Sequence, residues 1–140
     1  MARAQDFVAQ ALVGGDWAVD ATVGRGGDTL FLAERVGADG CVLGVDLQRG
    51  ALAEAHNRLD AAGLADRVRL RRAGHAHLGR VVPAEWAGRV AAVMFNLGYL
   101  PGGSRQRTTH PATTRAALEA ARELLAPGGR LSVLAYRGHP

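Results

Sequence analysis

The sequence of 140 residues contains no lysine and no isoleucine, and it has one cysteine, three phenylalanines, two tryptophans and two tyrosines. The lone Cys41 excludes an intramolecular disulfide and any cysteine-cluster metal site. No apolar run approaches the roughly 18–20 residues that span a bilayer, and no signal peptide opens the chain, so the expectation is a cytoplasmic protein with no membrane partner. All 17 basic residues are arginine beside abundant alanine and glycine, a pattern of genome-level codon bias rather than of chemistry. Against 13 acidic residues they give a formal charge of +4 and a pI near 10.5. That balance points weakly to a polyanionic partner, since the planar guanidinium fork suits phosphate, although net charge alone speaks to solubility. With 48% hydrophobic residues the chain is not wholly disordered, and its length suits one core, hence a single domain over 1–140.

Apolar runs alternate with helical stretches, and glycines separate them. Residues 2–13 read as a helix closed by Gly14 and Gly15, and 17–21 as a short buried strand. A glycine-rich turn leads to a helix over 28–36, with Gly37 as its C-terminal stop. Residues 41–46 form a second strand, 49–62 a helix ending at Gly63, and Val68 to Leu70 begin an arginine-rich third strand. Pro83 breaks any single helix over 76–88. A fourth strand over 89–95, a helix over 112–126, a turn at 127–129 and a strand over 131–136 complete the pattern. Five strands separated by helices predict an α/β fold, a parallel sheet covered on both faces. Right-handed crossovers then put ligands at the carboxyl ends of the strands, near the reversal of strand order.

The unusual polar residues fall at those ends. After the first strand comes Asp20-Ala21-Thr22-Val23-Gly24-Arg25-Gly26-Gly27-Asp28-Thr29. Its glycines would let backbone approach a ligand closely. A dinucleotide fingerprint wants a third glycine where Thr29 stands, and an acidic Asp20 disfavours a pyrophosphate. A cationic amino-acid ligand fits better; S-adenosylmethionine (SAM) has an ammonium group and no phosphate. After the second strand, Asp46 with Gln48 is placed to accept ribose hydroxyl protons, with an N-cap for the next helix as the competing use. After the third, Gly74 and His75 offer backbone contact to an adenine edge. His75 and His77 lack a third ligand, so no metal is expected. After the fourth, Asn96-Leu97-Gly98-Tyr99 resembles the Asn-Pro-Pro-Tyr signature of amino-group methyltransferases.

Asp-Ala-Thr-Val-Gly-Arg-Gly-Gly-Asp-Thr, Gly-Val-Asp-Leu-Gln, Phe-Asn-Leu-Gly-Tyr-Leu-Pro-Gly-Gly, Thr-Thr-His-Pro-Ala-Thr-Thr and Tyr-Arg-Gly-His-Pro follow one another in order. Together they resemble the small class I SAM-dependent methyltransferases labelled rRNA methylases, from about Ala4 to Pro140. That family includes tRNA enzymes that methylate 5-aminomethyl-(2-thio)uridine at the wobble position. The resemblance implies a Rossmann-like sheet ordered 3-2-1-4-5, SAM as cofactor, and an RNA substrate, the tRNA anticodon region. It further implies that Asp20, Ala21, Thr22, Gly24, Gly26, Asp28 and Thr29 hold the methionine half, that Asp46 and Gln48 hold the ribose, and that Gly74 and His75 lie near adenine. Asn96 and the Leu97 carbonyl would orient the substrate amine, and Tyr99 would stack on its base. An alkylamine with a pKa near 10.4 must lose its proton before attack; His139, His75 and water are all open as acceptors.

The stretch 96–111 is long for a βα connection, and its Arg105, Arg107 and His110 would make a phosphate-contacting set, with a solvated mobile loop as the competing reading. This chain has Ser104 where the family has an acid, Arg105 where it often has lysine, and Gly74-His75-Ala76 where it often has Ser-His-Glu. The family also continues past Tyr-Arg-Gly-His-Pro into a closing hairpin, so the expectation is a chain truncated at its C-terminus. The outer edge of the fifth strand would then be bare and would pair with another chain, as in a homodimer, stick nonspecifically, or fray. Three alternatives stay open: an rRNA base methyltransferase, a nucleotide-binding oxidoreductase, which gives Asn96 to Tyr99 no role, and a non-catalytic RNA-binding module.

Overall fold

The computed structural model describes residues 2–97 and 111–135. In chain order the elements are α1 (Ala2–Ala9), β1 (Trp17–Asp20), α2 (Gly27–Val36), β2 (Cys41–Asp46), α3 (Arg49–Ala61), β3 (Val68–Arg72), α4 (Leu78–Val81), β4 (Val90–Leu97), α5 (Pro111–Leu124) and β5 (Leu125–Ala135). The five strands form one parallel sheet in the expected order, β3-β2-β1-β4-β5. None of the helices among the described residues is long and apolar enough to cross a membrane.

The central strands are apolar along their length because both of their faces are covered. Val8, Leu32, Val36 and Leu59 of α1–α3 pack with Ala18, Val42 and Met94 on one face. Leu78 of α4 and Ala117, Ala121 and Leu124 of α5 pack with Val19, Leu43, Val45, Val93 and Phe95 on the other. Register slips between Trp17↔Val90 and Ala18↔Ala92, so Ala91 is an extra residue in β4. Val90 and Val93 can therefore face the same layer although they are three residues apart. On that layer Trp17 stacks on Trp86 with ring centroids 4.9 Å apart.

β4 runs two residues further than expected, to Leu97, and three other boundaries move more substantially. The first helix ends at Ala9 rather than near residue 13, since the Asp16 carboxylate accepts the Val13 N–H at 2.8 Å and closes a turn there. The stretch 76–88 divides into a 3-10 turn at His75–His77, the short α4 and a second 3-10 turn at Ala84–Trp86 that follows Pro83. β5 starts at Leu125 rather than Leu131, because Pro127-Gly128-Gly129 lies against β4 as a bulge: pairing passes from Val90↔Leu125 to Ala92↔Arg130. Gly128 has φ +80°, and a Cβ on Gly129 would stand 2.9 Å from the Val90 carbonyl oxygen.

Candidate active site

Strand order reverses between β1 and β4, and the chain leaving β1 bridges their carboxyl ends. The Ala21 N–H donates to the Met94 carbonyl at 2.9 Å, and the Val23 N–H to the Val45 carbonyl at 3.0 Å. The Gly24 N–H then donates to Asp46 Oδ2 at 2.9 Å. Three residues of one turn thus join β4, β1 and β2 at the end of the sheet where a ligand is expected.

Asp20 is fully buried, with Thr29 Oγ1 donating to its Oδ2 at 2.6 Å and the Thr22 N–H to its Oδ1 at 3.1 Å. Burial pushes its carboxyl up to about 7, helped by the nearby Asp28 and Asp46, while the bonds from Thr29 and Thr22 act in the opposite sense. Asp28 itself accepts a hydrogen bond from Gln5 Nε2 of α1 at 3.0 Å.

Asp46 does not cap α3. The N-cap is Gln48, without a side-chain bond, and Asp46 Oδ1 accepts the Gln48 N–H at 2.8 Å. Each Asp46 oxygen therefore takes one backbone N–H from a flanking loop, and a carboxylate has about four acceptor sites in all. The glycines divide their work differently from the expectation. Gly24 has φ +54°, and a Cβ there would meet only the Thr22 carbonyl, at 4.0 Å, so its flank is open to a ligand. Gly26, at φ +92°, is close to α3 instead: a Cβ would stand 3.0 Å from the Ala55 Cβ. Gly26→Ala is expected to cost about 1–3 kcal/mol from the left-handed backbone and the crowded helix, read as a lower urea midpoint. Gly50→Ala, whose Cβ would meet nothing within 4 Å, should leave stability unchanged or raise it.

At the other side of the crevice, the Asn96 N–H donates to Thr22 Oγ1 at 2.6 Å. Its side-chain Oδ1 is buried with no hydrogen-bond partner among the described residues, a costly state for an amide oxygen unless a ligand supplies the donor. His75 Nε2 is buried and unpartnered in the same way. The His75 ring meets Phe95 edge-on at 6.3 Å, so it lies towards β4, and burial lowers its basicity. Gly74, beside it, backs onto the Leu47 side chain. Leu97 ends β4 and is buried, while Tyr99, Arg105, Arg107, His110 and His139 lie outside the described residues.

Two participants, Leu47 and Arg58, lie outside the sequence expectation, and Thr22, expected on the methionine half, has its hydroxyl committed to Asn96, a partner 74 residues away. Leu47, 61% exposed directly after Asp46, is an apolar side chain where a helix entry ordinarily carries a polar one, and that mismatch was legible. Arg58 donates to the Arg25 carbonyl at 2.6 Å across 33 residues and gives no local signal.

An open parallel sheet ordered 3-2-1-4-5, with a glycine turn after β1 and a carboxylate ending β2, defines the Rossmann-like core of the SAM-dependent methyltransferase fold. The family described as "Putative rRNA methylase" matches residues 42–140, and the chain belongs to that family. It is 40% identical over 139 residues to the chloroplastic tRNA (mnm(5)s(2)U34)-methyltransferase of Arabidopsis thaliana, covering 94% of this chain and 50% of the plant protein. The chain thus spans about half the length of that relative. A "putative rRNA-methylase" from Clostridium thermocellum superposes with a TM-score of 0.85 at 42% identity, over 93% of this chain and 68% of that one. A "putative methyltransferase" from Streptococcus mutans in complex with SAH gives 0.82 at 35% identity, over 94% and 69%.

Proposed function

We propose that this chain is the SAM-binding core of an RNA methyltransferase that methylates an exocyclic amine. The substrate is 5-aminomethyl-(2-thio)uridine at the tRNA wobble position. The buried Oδ1 of Asn96 at the switch point, unpartnered among the described residues, carries this reading. An amine offers the N–H such an oxygen lacks, and accepting it would turn the nitrogen lone pair in a fixed direction. The name of the 40%-identical plant relative supports the choice of wobble uridine.

The residues fit SAM on observations independent of any name. Asp46 retains acceptor capacity for ribose hydroxyls, the flank of Gly24 is open, and the exposed Leu47 beside Gly74 offers an apolar wall to a base. Asp20 is enclosed by Thr22 and Thr29, so it acts on a cationic ligand through its field and through the turn it orders. When bound, SAM supplies an electrophilic methyl group. Asn96 holds the amine, with the Leu97 carbonyl as second acceptor and Tyr99 stacked on the base. His75, whose ring meets Phe95 edge-on and whose buried Nε2 has no partner among the described residues, is the acceptor we favour for the amine's proton. Arg105, Arg107 and His110 would contact phosphates. β5 is the outer strand of the sheet among the described residues, with Val133 43% exposed, and we place the proposed homodimer contact along it.

Transfer of labelled methyl from SAM to total tRNA, followed by mass spectrometry of the nucleosides, tests the substrate. Label in a wobble uridine derivative is expected; label only in ribosomal RNA would replace the reading. Asp46→Ala should weaken SAM binding by about 1.5–3 kcal/mol in calorimetry, the scale of hydrogen bonds to a charged group. Unchanged affinity would remove Asp46 from the ribose.

A further inference from the structure

The charge of this chain is not evenly spread. Between Asp66 and Glu85 lie five arginines (67, 69, 71, 72 and 80) and no acid, so this one segment holds +5 while the whole chain holds +4. The rest, with 12 arginines against 13 acids, sums to −1. A codon bias towards arginine raises its number everywhere and does not exclude acids from one stretch.

In the fold that stretch begins with β3, the outer strand on the β2 side. Val68 and Leu70 pack into the α1–α3 layer. Arg69 and Arg71 alternate with them and so belong to the opposite face, paired in register with Leu43 and Val45 of β2. Leu43 and Val45 are covered by the α4–α5 layer, but the two arginines beside them are exposed. Where a covered parallel sheet would present Val or Leu, this one presents two guanidiniums. Arg72, also exposed, is level with Asp46 at the carboxyl end, and its Nε donates to the Leu47 carbonyl at 3.0 Å. Arg71 Nη1 donates to the adjacent Leu70 carbonyl at 3.0 Å, and Arg67 donates to the Ala33 carbonyl of α2 at 3.1 Å, where it serves as a clamp.

We propose that Arg69 and Arg71 form a track for the phosphate backbone of RNA, running along the α4–α5 face of β3 towards the carboxyl end of the sheet. This rests on the RNA reading above. Residues two apart on a strand are about 6.6 Å apart, so Arg69 and Arg71 meet separate phosphates rather than closing on one small anion. β3 lies three strand spacings from β4, about 14 Å, so a stem-loop on the track can deliver an unstacked base to Asn96. Charged side chains also guard edge strands against pairing. Guarding works with charge of either sign, whereas a phosphate track needs positive charge, and this difference decides between them.

Anisotropy of a fluorescein-labelled RNA stem-loop, titrated at several salt concentrations, compares the wild-type chain with Arg69→Gln/Arg71→Gln and Arg69→Glu/Arg71→Glu. SAM affinity and thermal midpoint are measured in parallel. The glutamine pair is expected to weaken RNA binding at least about tenfold and to lower the salt slope by about 1.4–1.8, the share of two phosphate contacts. The glutamate pair should weaken it further, with SAM affinity and midpoint unchanged in both. Variants that bind RNA as the wild type does, with the same slope, overturn the track and leave the RNA reading standing. A glutamate pair that behaves as wild type while the glutamine pair aggregates assigns β3 to edge protection and overturns the track. A wild-type chain that binds SAM but no RNA overturns both.

Discussion

Asn96→Ala is expected to lower methyl-transfer turnover by about 100-fold while SAM affinity stays within about threefold, since loss of orientation at the reacting nitrogen acts on the rate. The backbone at this position should survive the change. Its N–H is held by Thr22 Oγ1 at 2.6 Å, and β4 pairs with β5 through Asn96↔Leu134, neither of which needs the side chain. What disappears is the Oδ1 that has no partner among the described residues. Removing an unsatisfied buried acceptor should not harm the fold, so stability ought to hold or rise while turnover falls. Single-turnover transfer together with calorimetric SAM binding separates the two effects. Equal losses in binding and rate would make Asn96 a structural residue of the β4 terminus.

Asp20→Asn should change how stability depends on pH. The carboxyl is raised from 3.8 to about 7, first by burial and then by Asp28 and Asp46, against the hydrogen bonds from Thr29 and Thr22. A raised pKa means that the folded state holds the proton more tightly than the unfolded chain does. The stabilising contribution is therefore complete below about pH 4 and is lost as pH rises through about 7. The shift corresponds to a contribution on the order of 4 kcal/mol, lost across that window. The neutral asparagine avoids this loss and can still accept from Thr22 or Thr29. Urea unfolding at several pH values should thus show the variant gaining on the wild type from pH 4 to 7, with a constant difference above. A difference independent of pH would mean that Asp20 stays charged in the fold. The location fits a functional origin for this cost: a half-charged carboxylate beneath the glycine turn is a poor stabiliser but a responsive neighbour for a cation.

The strands, the helices and the carboxyl-end placement of Asp20, Asp46, His75 and Asn96 were legible in the sequence. Local rules govern them: a central parallel strand must be apolar on both faces, and each glycine marks a turn the chain cannot otherwise make. β2 at Cys41–Asp46 has the expected bounds for that reason, its burial being continuous over Val42 to Val45. The sequence marks where the third strand begins but not where it ends, since its apolar pattern is weak; pairing with Val45 and Asp46 keeps Arg71 and Arg72 in the sheet.

The sequence alone settled the fold class and the short list of polar residues from which a site could be built, because both follow from periodicity and spacing within a few tens of residues. Only the tertiary structure decided how those residues divide the work. Gly26 is a glycine because Ala55 of α3 is in the way, Asp20 is sealed by Thr29, and Thr22 is committed to Asn96. Each of these depends on a contact between segments brought together by the sheet, and no local pattern records which groups will meet there. The unpaired Oδ1 of Asn96 is the same kind of fact. An asparagine is visible in a sequence, but whether its amide is satisfied is known only once every neighbour is in place.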